Sequence, residues 1–189
     1  MATWACAAAR APADGYTIHL IGSSAFAYQP NMRKVPYNPL SSFVPLGALG
    51  SASLLLVVNP KVPARNIAEL VAYAKANPGK LNYASSGIGS SNHLFCELFK
   101  MRTGIQMTHV PYKGVAAAIA EVIAGRLDIS IASLASGMPH VRSGRVQGFG
   151  VSGKERSALL PQVPTFAEQG FPALDLVGWN GIVTPKGTP

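Results

Sequence analysis

The sequence predicts an α/β protein, and three observations lead to this fold class. Segments with the periodicity of strands and of helices alternate along most of the 189 residues. Hydrophobic residues make up 48% of the chain and charged residues only 13%, which indicates a buried core. Glycine (19 residues) and proline (15 residues) are frequent, as expected where tight turns join short elements. Strands that alternate with helices imply parallel pairing through right-handed crossovers.

The first two predicted strands rest on different patterns. Residues 16–21 are rich in β-branched and aromatic side chains and follow a turn signal at Asp14 and Gly15, so they predict a strand. Residues 54–58 form a continuous apolar run that ends at Asn59 and Pro60. Such a run is typical of a strand that is buried on both faces of a sheet.

The helical pattern is clearest after Asn66. Apolar residues then recur at the spacing of one helix face through residue 74, with Asn66 as the N-cap and the turn at 77–79 as the stop. The remaining predicted elements, in chain order, are a strand at 81–84, a helix at 91–101, a strand at 106–110, a helix at 115–123 closed by Gly125, and strands at 128–132, 146–151 and 176–183.

The charge balance favours anionic partners but excludes a nucleic-acid interface. Lysine and arginine number 16 against 8 acidic residues, which gives a formal net charge of +8 and raises the concentration of anions near the surface. A nucleic-acid binder would cluster its cations with stacking aromatic residues. Here the cations are scattered in small groups such as Arg33 and Lys34 or Lys154 and Arg156, so no nucleic-acid partner is expected.

No segment predicts direct membrane insertion. The apolar run at 52–58 is only as long as a strand and far shorter than a membrane span. The apolar opening at 1–9 lacks a basic leader and is too short for a secretion signal with its cleavage site, so we expect no export signal in it.

A serine- and glycine-rich segment at 83–93 (YASSGIGSSNH) is the most informative local feature. It leads from a predicted strand through a turn into a predicted helix. Backbone N–H groups at the positive end of a helix, with serine hydroxyls beside them, form an anion site. The alternative is structural: Ser90 or Ser91 caps the helix and the glycines only permit the turn. The local spacing supports both interpretations equally.

Two further segments also follow predicted strands. Ser23 and Ser24 come directly after the strand at 16–21, at the carboxyl end where ligands of open α/β sheets dock. Tyr112 and Lys113 follow the strand at 106–110 and precede a helix, where they could supply a hydroxyl and a positive charge. An exposed tyrosine–lysine pair in a loop is more often structural.

Catalytic, metal and cofactor sites are not expected. The phosphate-loop pattern needs Gly-Lys-Ser/Thr, which is missing, and the dinucleotide fingerprint needs a third glycine where Asn92 stands. The chain has no Gly-x-Ser-x-Gly elbow, and none of its histidines (His19, His93, His109 and His140) is spaced as a metal pair. We therefore expect neither an enzyme nor a bound cofactor.

Five motifs in order resemble the Bug family, the substrate-binding components of tripartite tricarboxylate transporters. They are DGYT at 14–17, VPYNPL at 35–40, AKANPGKLNYASSG at 74–87, HVPYKG at 109–114 and PQVPT at 161–165. The resemblance runs from about residue 11 to residue 189. It implies a periplasmic receptor with a type II, Venus-flytrap fold, whose two lobes close on a small carboxylate and pass it to the membrane permease subunits of the transporter.

The resemblance also implies the ligand contacts and the lobes. The ligand-facing loops of the family match Ser23 and Ser24 in the first lobe and Ser85, Ser86, Gly89 and Ser90 in the second. Together with Tyr112 and Lys113, these are the predicted site residues. The predicted lobes are a partial first lobe at 1–55, a second lobe at 56–150 and a return to the first lobe at 151–189.

The chain departs from the family pattern in three places. The export signal and the first strand with its Pro-Gly-Gly-rich loop, and the helices that follow the segment at 179–189, have no counterpart, so the first lobe is expected to be incomplete. Ala132 and Ser133 stand where the family often has an acidic–amide pair. Two alternatives follow: a truncated fragment that binds poorly, or a small α/β enzyme that acts on an anionic substrate through His93 or Lys113.

Overall fold

The chain folds into two compact units. The computed structural model describes residues 2–189, with side chains from Trp4 onward; Met1, where the predicted first lobe begins, lies outside the described residues. The first unit combines the described residues up to Ser51 with Gly178–Pro189, and the second unit is Ala52–Val177.

The limits of the two units differ most from the predicted lobe limits at 151–177, a segment that the prediction assigns to the first lobe. This segment belongs to the second unit. Val151 forms a parallel bridge with Thr165, and the Phe166 side chain is buried in the core of the second unit. The first boundary also moves, from 55 to Ser51, because the whole strand that begins at Leu54 lies inside the second unit.

Helices and strands follow one another through the chain. The helices are α1 (Ala2–Ala9), α2 (Gln29–Met32), α3 (Ile67–Ala76), α4 (Ser91–Thr103), α5 (Val115–Ile123) and α6 (Leu134–Arg142). The strands are β1 (His19–Gly22), β2 (Phe43–Ala52), β3 (Leu54–Val58), β4 (Asn82–Ser85), β5 (Thr108–Pro111), β6 (Ile129–Ser133), β7 (Gln147–Val151) and β8 (Gly178–Pro185). A π-helical turn spans Ser24–Tyr28, and a short 3-10 helix spans Pro172–Leu174.

The first unit is built on a small sheet with the strand order β1-β8-β2. β1 and β8 pair antiparallel, with His19 opposite Val183. Ile21, Phe43 and Val183 are buried together with alanines of α1. The ring of Tyr37 packs edge-on against Phe43, and its hydroxyl donates to the Ala25 carbonyl at 2.6 Å, which ties the segment before β2 to the π-helical turn.

The second unit is built on a mixed sheet with the strand order β5-β4-β6-β3-β7. β4 pairs in parallel with β5 and β6, whereas β3 pairs antiparallel with β6 and β7. The expectation of parallel pairing is therefore confirmed for β4, β5 and β6 and wrong for β3. β3 ends beside the start of β6, and β4 starts at that same edge of the sheet. The segment 59–66 and α3 therefore connect two antiparallel strands rather than forming a parallel crossover.

Both faces of this sheet are covered, and β3 runs through the middle of the core. All of its side chains are buried, as its continuous apolar run predicted. Leu54, Leu56 and Val58 join the core cluster that contains α3 and α4 residues. Leu55 and Val57 face the other way and join the cluster under α5 and α6. Alternate residues of one strand therefore anchor two separate helix layers.

Most predicted elements of the second unit are confirmed to within a few residues. β3 occupies the predicted range, and α3 begins after Asn66, whose side-chain oxygen accepts the Glu69 N–H at 2.8 Å as an N-cap should. α4 ends at Gly104, which adopts the left-handed conformation (φ +70°). In the first unit, the strand predicted at 16–21 begins later, at His19, and ends at Gly22.

Four of the helices and strands were not predicted, namely α1, α2, β2 and α6. α6 contains Gly137 and Pro139, which normally argue against a helix. Gly137 is required by packing, because a Cβ there would lie 2.8 Å from Leu55 Cδ2 and 3.3 Å from Val57 Cγ1. The helix therefore lies directly on β3, and tertiary packing outweighs its poor propensity.

Candidate anion-binding site

The serine–glycine segment forms a loop, 86–90, between the end of β4 and the start of α4. Ser90 is the N-cap of α4, with extended backbone (φ −76°, ψ 159°), and its hydroxyl oxygen accepts the His93 N–H at 3.2 Å. Gly87 and Gly89 have φ values of +120° and +74°, which side chains rarely tolerate. The predicted helix cap and the predicted turn glycines are thus both present.

The amides of the loop are partly bonded to the protein itself. Ser90 N–H donates to the Gly87 carbonyl, and Gly87 N–H donates to Ser85 Oγ at 3.1 Å. The first intrahelical bond runs from Leu94 N–H to the Ser90 carbonyl. The N–H groups of Ser91 and Asn92 therefore have no intrahelical acceptor, and they carry the positive end of the α4 dipole.

Asn92 anchors this end of the helix. Its amide nitrogen donates to the carbonyl of Ile131 in β6 at 2.5 Å, and its amide oxygen accepts the Ser86 hydroxyl at 2.9 Å. The residue is buried. In the sequence, Asn92 indicates only that the dinucleotide fingerprint is incomplete. Its bridging role depends on β6, which lies about forty residues further along the chain, and no local signal indicates it.

A cluster of imidazoles lies beneath the loop. Ser85 is fully buried, and its hydroxyl lies 2.7 Å from His109 Nε2. The His109 ring stacks on Tyr83, with centroids 4.8 Å apart, and contacts the His93 ring at 4.3 Å. Gly89 N–H donates to His93 Nδ1 at 3.4 Å. Neither histidine was among the predicted site residues. The parallel register of β4 with β5 places His109 beside Tyr83, and the His93 ring on α4 contacts it there.

Burial sets the protonation states in this cluster. It lowers the pKa of His93 and of His109, and the neighbouring His93 charge lowers the pKa of His109 further. Burial followed by the hydrogen bond to Glu97 raises the pKa of Tyr83. Burial opposes ionisation of Glu97, but Lys100 and Tyr83 outweigh it and lower the Glu97 pKa. Both imidazoles are therefore neutral near neutral pH.

The loop that contains Tyr112 and Lys113 lies next to the serine–glycine loop. Tyr112 N–H donates to the Ser85 carbonyl at 2.9 Å, and the Tyr112 carbonyl lies 3.5 Å from where a Gly87 Cβ would stand. The ring of Tyr112 packs against the core cluster under α5. Lys113 is exposed. β4 and β5 are parallel, so their carboxyl ends meet at one edge of the sheet.

The helices that follow β4, β5 and β6 all begin at this same edge. α4 starts after Ser90, α5 after Gly114, and α6 after Ser133. Ser133 accepts the Ser136 N–H at 3.3 Å and so caps α6. Because the strands are parallel, the positive ends of these helix dipoles lie along one edge. Such an edge stabilises negative charge.

Comparison with known proteins places the chain in a family. The family model described as tripartite tricarboxylate transporter family receptor matches residues 3–189. The chain belongs to this receptor family. The sequence resemblance to the Bug proteins is thereby confirmed, and the structural neighbours agree with the two-lobed binding-protein fold that it implied.

Members of the receptor family with curated sequences are considerably longer than this chain. BugT of Bordetella pertussis is 36% identical over 184 residues, which are 96% of this chain and 56% of BugT. A protein from the tcbD–tcbE intergenic region of Pseudomonas sp. (strain P51) is 37% identical over 182 residues, which are 96% of this chain and 54% of that protein. The chain spans about half the length of the curated relatives it matches.

Solved structures of the family share this fold. A structure described as a periplasmic transporter superposes on this chain with a TM-score of 0.94 at 38% identity. The superposition covers 100% of this chain and 63% of the chain of that transporter. An R. palustris protein solved with adipate has a TM-score of 0.91 at 34% identity, covering 98% and 62%. MatC from Rhodopseudomonas palustris, solved with malate, has a TM-score of 0.91 at 27% identity, covering 98% and 63%.

The residues matched from the receptor family fall in both units. Ser85, Ser86, Gly89 and Ser90 lie together in the second unit, and the adjacent loop contains Tyr112 and Lys113, the other two residues predicted there. Ser23 and Ser24 lie in the first unit, at the start of the π-helical turn after β1. Ser23 is buried, and its side chain makes no capping hydrogen bond.

Neither a metal-binding cluster nor a membrane-spanning helix is found among the described residues. Across residues 2–189, no group of three or more His, Cys, Asp or Glu side chains is arranged to hold a metal ion. None of the helices in the same range has the length and apolar character required to cross a membrane.

Proposed function

We propose that the chain is the ligand-capturing part of a periplasmic receptor that binds a small carboxylate and delivers it to the membrane permease subunits of a tripartite transporter, without catalysing a reaction. The observation that carries the proposal is the edge of the second sheet. There the serine–glycine loop and the amino ends of α4, α5 and α6 present donors and positive dipole ends to one region.

The donors on the loop favour a carboxylate over a nucleotide. They are serine hydroxyls and backbone N–H groups, which bind a small anion at short range but supply little charge to neutralise a polyphosphate. Lys113, exposed beside the loop, and the net charge of +8 add longer-range attraction. The relatives solved with adipate and malate show that this fold accepts dicarboxylates.

Each predicted residue has a proposed role. Ser90 Oγ accepts the His93 N–H, so its own hydroxyl hydrogen is available to an anion, and Gly89 lets the backbone approach the ligand. The Ser86 hydroxyl already donates to Asn92 Oδ1, so Ser86 shapes the loop and its proposed contact with the ligand is through its backbone N–H. Ser85 is buried against His109, so its hydroxyl shapes the loop from beneath. Tyr112 positions the neighbouring loop through its N–H bond to Ser85, and Lys113 supplies charge. Ser23 and Ser24 are the proposed contacts of the first unit.

Titration calorimetry of the 189-residue chain with adipate and malate tests the proposal. The neutral diamide of adipate serves as the matched ligand control, because it keeps the length of adipate and removes the charge. We expect heat of binding with a dicarboxylate and none with the diamide. Equal binding of the diamide would show that the site does not recognise negative charge.

The variant Ser90→Asp separates the cap from the ligand site. Aspartate is as good an N-cap as serine, so α4 should keep its stability. Its carboxylate, however, occupies the end of the helix dipole that the ligand would use, and like charges repel. We expect an unchanged or higher midpoint of unfolding together with loss of dicarboxylate binding. Retained binding in a folded Ser90→Asp protein would remove the proposed site.

The surface of the first unit favours a second candidate, a fragment that associates and binds poorly. Large apolar side chains there are highly exposed, and Tyr16 (93%), Ile18 (66%) and Leu20 (62%) lie on or just before β1. Contiguous apolar surface of this kind promotes association. Sizing chromatography decides between the two candidates when it is combined with the calorimetry. A monomer that binds dicarboxylate excludes the second candidate, and an associated chain without binding excludes the first.

A further inference from the structure

Two imidazoles hold the two ends of the proposed ligand loop. At its start, the Ser85 hydroxyl lies 2.7 Å from His109 Nε2. Near its end, the Gly89 N–H donates to His93 Nδ1 at 3.4 Å. The rings of the two histidines contact each other, with centroids 4.3 Å apart. The loop therefore rests on a pair of side chains whose charge depends on pH.

The two contacts respond differently to protonation. An imidazolium donates from both nitrogens, so His109 keeps its contact with Ser85 Oγ by donating to it. His93 Nδ1 accepts the Gly89 N–H through its lone pair, and this is possible only while Nδ1 carries no hydrogen. A proton on Nδ1 of His93 abolishes that bond and sets two donors against each other.

Groups on several elements face His93. His109 on β5 contacts its ring, and Tyr83 on β4 stacks behind His109. On α4 itself, Glu97 raises and Lys100 lowers the pKa of His93, but burial is the larger effect and the pKa lies below the ordinary value of 6.5. His93 is therefore neutral at neutral pH and gains its proton only below pH 6.5.

We propose that His93 is a positioning residue of the ligand loop. Neutral His93 accepts the Gly89 N–H and so fixes the conformation of the loop at Gly89 that the proposed site requires. Protonated His93 releases this N–H, and the loop loses that conformation. Carboxylate affinity then falls as the medium becomes acidic. This inference rests on the proposed function, because the loop is the proposed carboxylate site. An imidazolium would also attract an anion, so the direction of the pH effect distinguishes positioning from simple charge attraction.

A measurement without ligand tests the positioning step by itself. In the 189-residue chain labelled with ¹⁵N-histidine and ¹⁵N-glycine, we expect neutral His93 to be the Nε2–H tautomer, with Nδ1 unprotonated. The Gly89 amide resonance should shift with the same midpoint as the His93 ring. His93→Asn identifies the His93 signals. Neutral His93 protonated on Nδ1, or a Gly89 amide that does not follow its titration, would overturn the inference whether or not the chain binds a dicarboxylate.

The binding test compares three proteins with malate as the probe. Asparagine places its Oδ1 where His93 has Nδ1, so His93→Asn keeps an acceptor that cannot be protonated. We expect it to bind malate like the parent at about pH 7.5. Below the His93 midpoint found in the ¹⁵N titration, it should bind about fivefold more tightly than the parent, a difference of about 1 kcal/mol and so of one hydrogen bond. Comparison at equal pH cancels the titration of malate itself.

Two further variants complete the comparison. His93→Ala loses the acceptor and should bind about fivefold more weakly than the parent at the higher pH, with little additional loss on acidification. His140→Asn is the control, because His140 Nδ1 has no hydrogen-bond partner among the described residues and lies outside the cluster. It should behave like the parent. Tighter binding by the parent than by His93→Asn at low pH would show that charge attraction prevails and would refute the positioning role.

Discussion

Replacement of Asn92 by alanine tests how the candidate site is attached to the sheet. The Asn92 amide donates to the buried Ile131 carbonyl at 2.5 Å and accepts the Ser86 hydroxyl at 2.9 Å. Alanine removes both bonds, and its helix propensity is higher than that of asparagine, so the substitution does not weaken the helix through propensity. The change therefore detaches the first turn of α4 from β6 and releases Ser86 in one step.

The expected cost follows from these two bonds. Each contributes about 1 kcal/mol net, and leaving the buried carbonyl of Ile131 poorly satisfied adds about 1–3 kcal/mol. The Ser130 hydroxyl lies 3.4 Å from the same carbonyl and can replace part of the lost bond. The higher helix propensity of alanine returns less than about 1 kcal/mol. We expect a net loss of about 2–3 kcal/mol in the free energy of unfolding of the second unit.

Urea unfolding measures this loss unit by unit. Both tryptophans of the chain, Trp4 and Trp179, lie in the first unit, so tryptophan fluorescence follows that unit and circular dichroism follows both. With a slope of about 2 kcal/mol per M, the far-UV transition should move by about 1 M or more. Ser91→Ala, one residue away on the same helix, should change stability by less than about 0.5 kcal/mol. A similarly small change for Asn92→Ala would show that the bridge to β6 contributes nothing.

Three other perturbations give outcomes with a definite sign. Ser90→Ala removes the N-cap of α4 and should lower the free energy of unfolding by about 1 kcal/mol in urea titrations, and rescue by Ser90→Asp confirms that the cap is responsible. Gly137→Ala should lower the free energy of unfolding by about 1 kcal/mol, because overpacking against Leu55 outweighs the gain in helix propensity. A more stable variant would show that the Leu55 side chain moves aside. Burial lowers the pKa values of all four histidines. As the pH falls below the ordinary value of 6.5, the unfolded chain therefore binds more protons than the folded chain. The thermal unfolding midpoint should rise with pH toward about 6.5 and then level off. A midpoint that falls over that interval would contradict the lowered pKa values.

The second unit could be predicted largely from local patterns, because its elements carry strong ones. The apolar run of β3, the helix period after Asn66 and the glycine at the end of α4 each specify one structure on their own. β2 carries no such pattern. It is rich in glycine, alanine and proline, and most of its side chains are exposed, so neither burial nor alternation indicates a strand.

The candidate site was predictable only where it is local in sequence. The serine–glycine loop was identified because the strand, the turn and the helix cap are consecutive. The contacts of Ser85 with His109 and of Asn92 with Ile131 span 24 and 39 residues and depend on the register of β4 with its neighbours. Register between distant strands is set by the packing of the whole core, and single-sequence periodicity contains no information on it.

The direction of β3 decides which loops lie at the edge of the sheet that carries the proposed anion site. Had β3 been parallel to β6, as the alternation of strands and helices suggested, the loop after Val58 would have emerged at the same edge of the sheet as the serine–glycine loop, next to the end of β6. The register places Leu54 opposite Ser133 and Val58 opposite Ile129, so β3 ends at the opposite edge of the sheet. Asn59 accordingly turns toward Val122 and Asp128, far from Ser90 along the strands. The proposed anion-binding edge therefore consists of the carboxyl ends of β4, β5 and β6, each continued by a helix whose amino end remains at that edge.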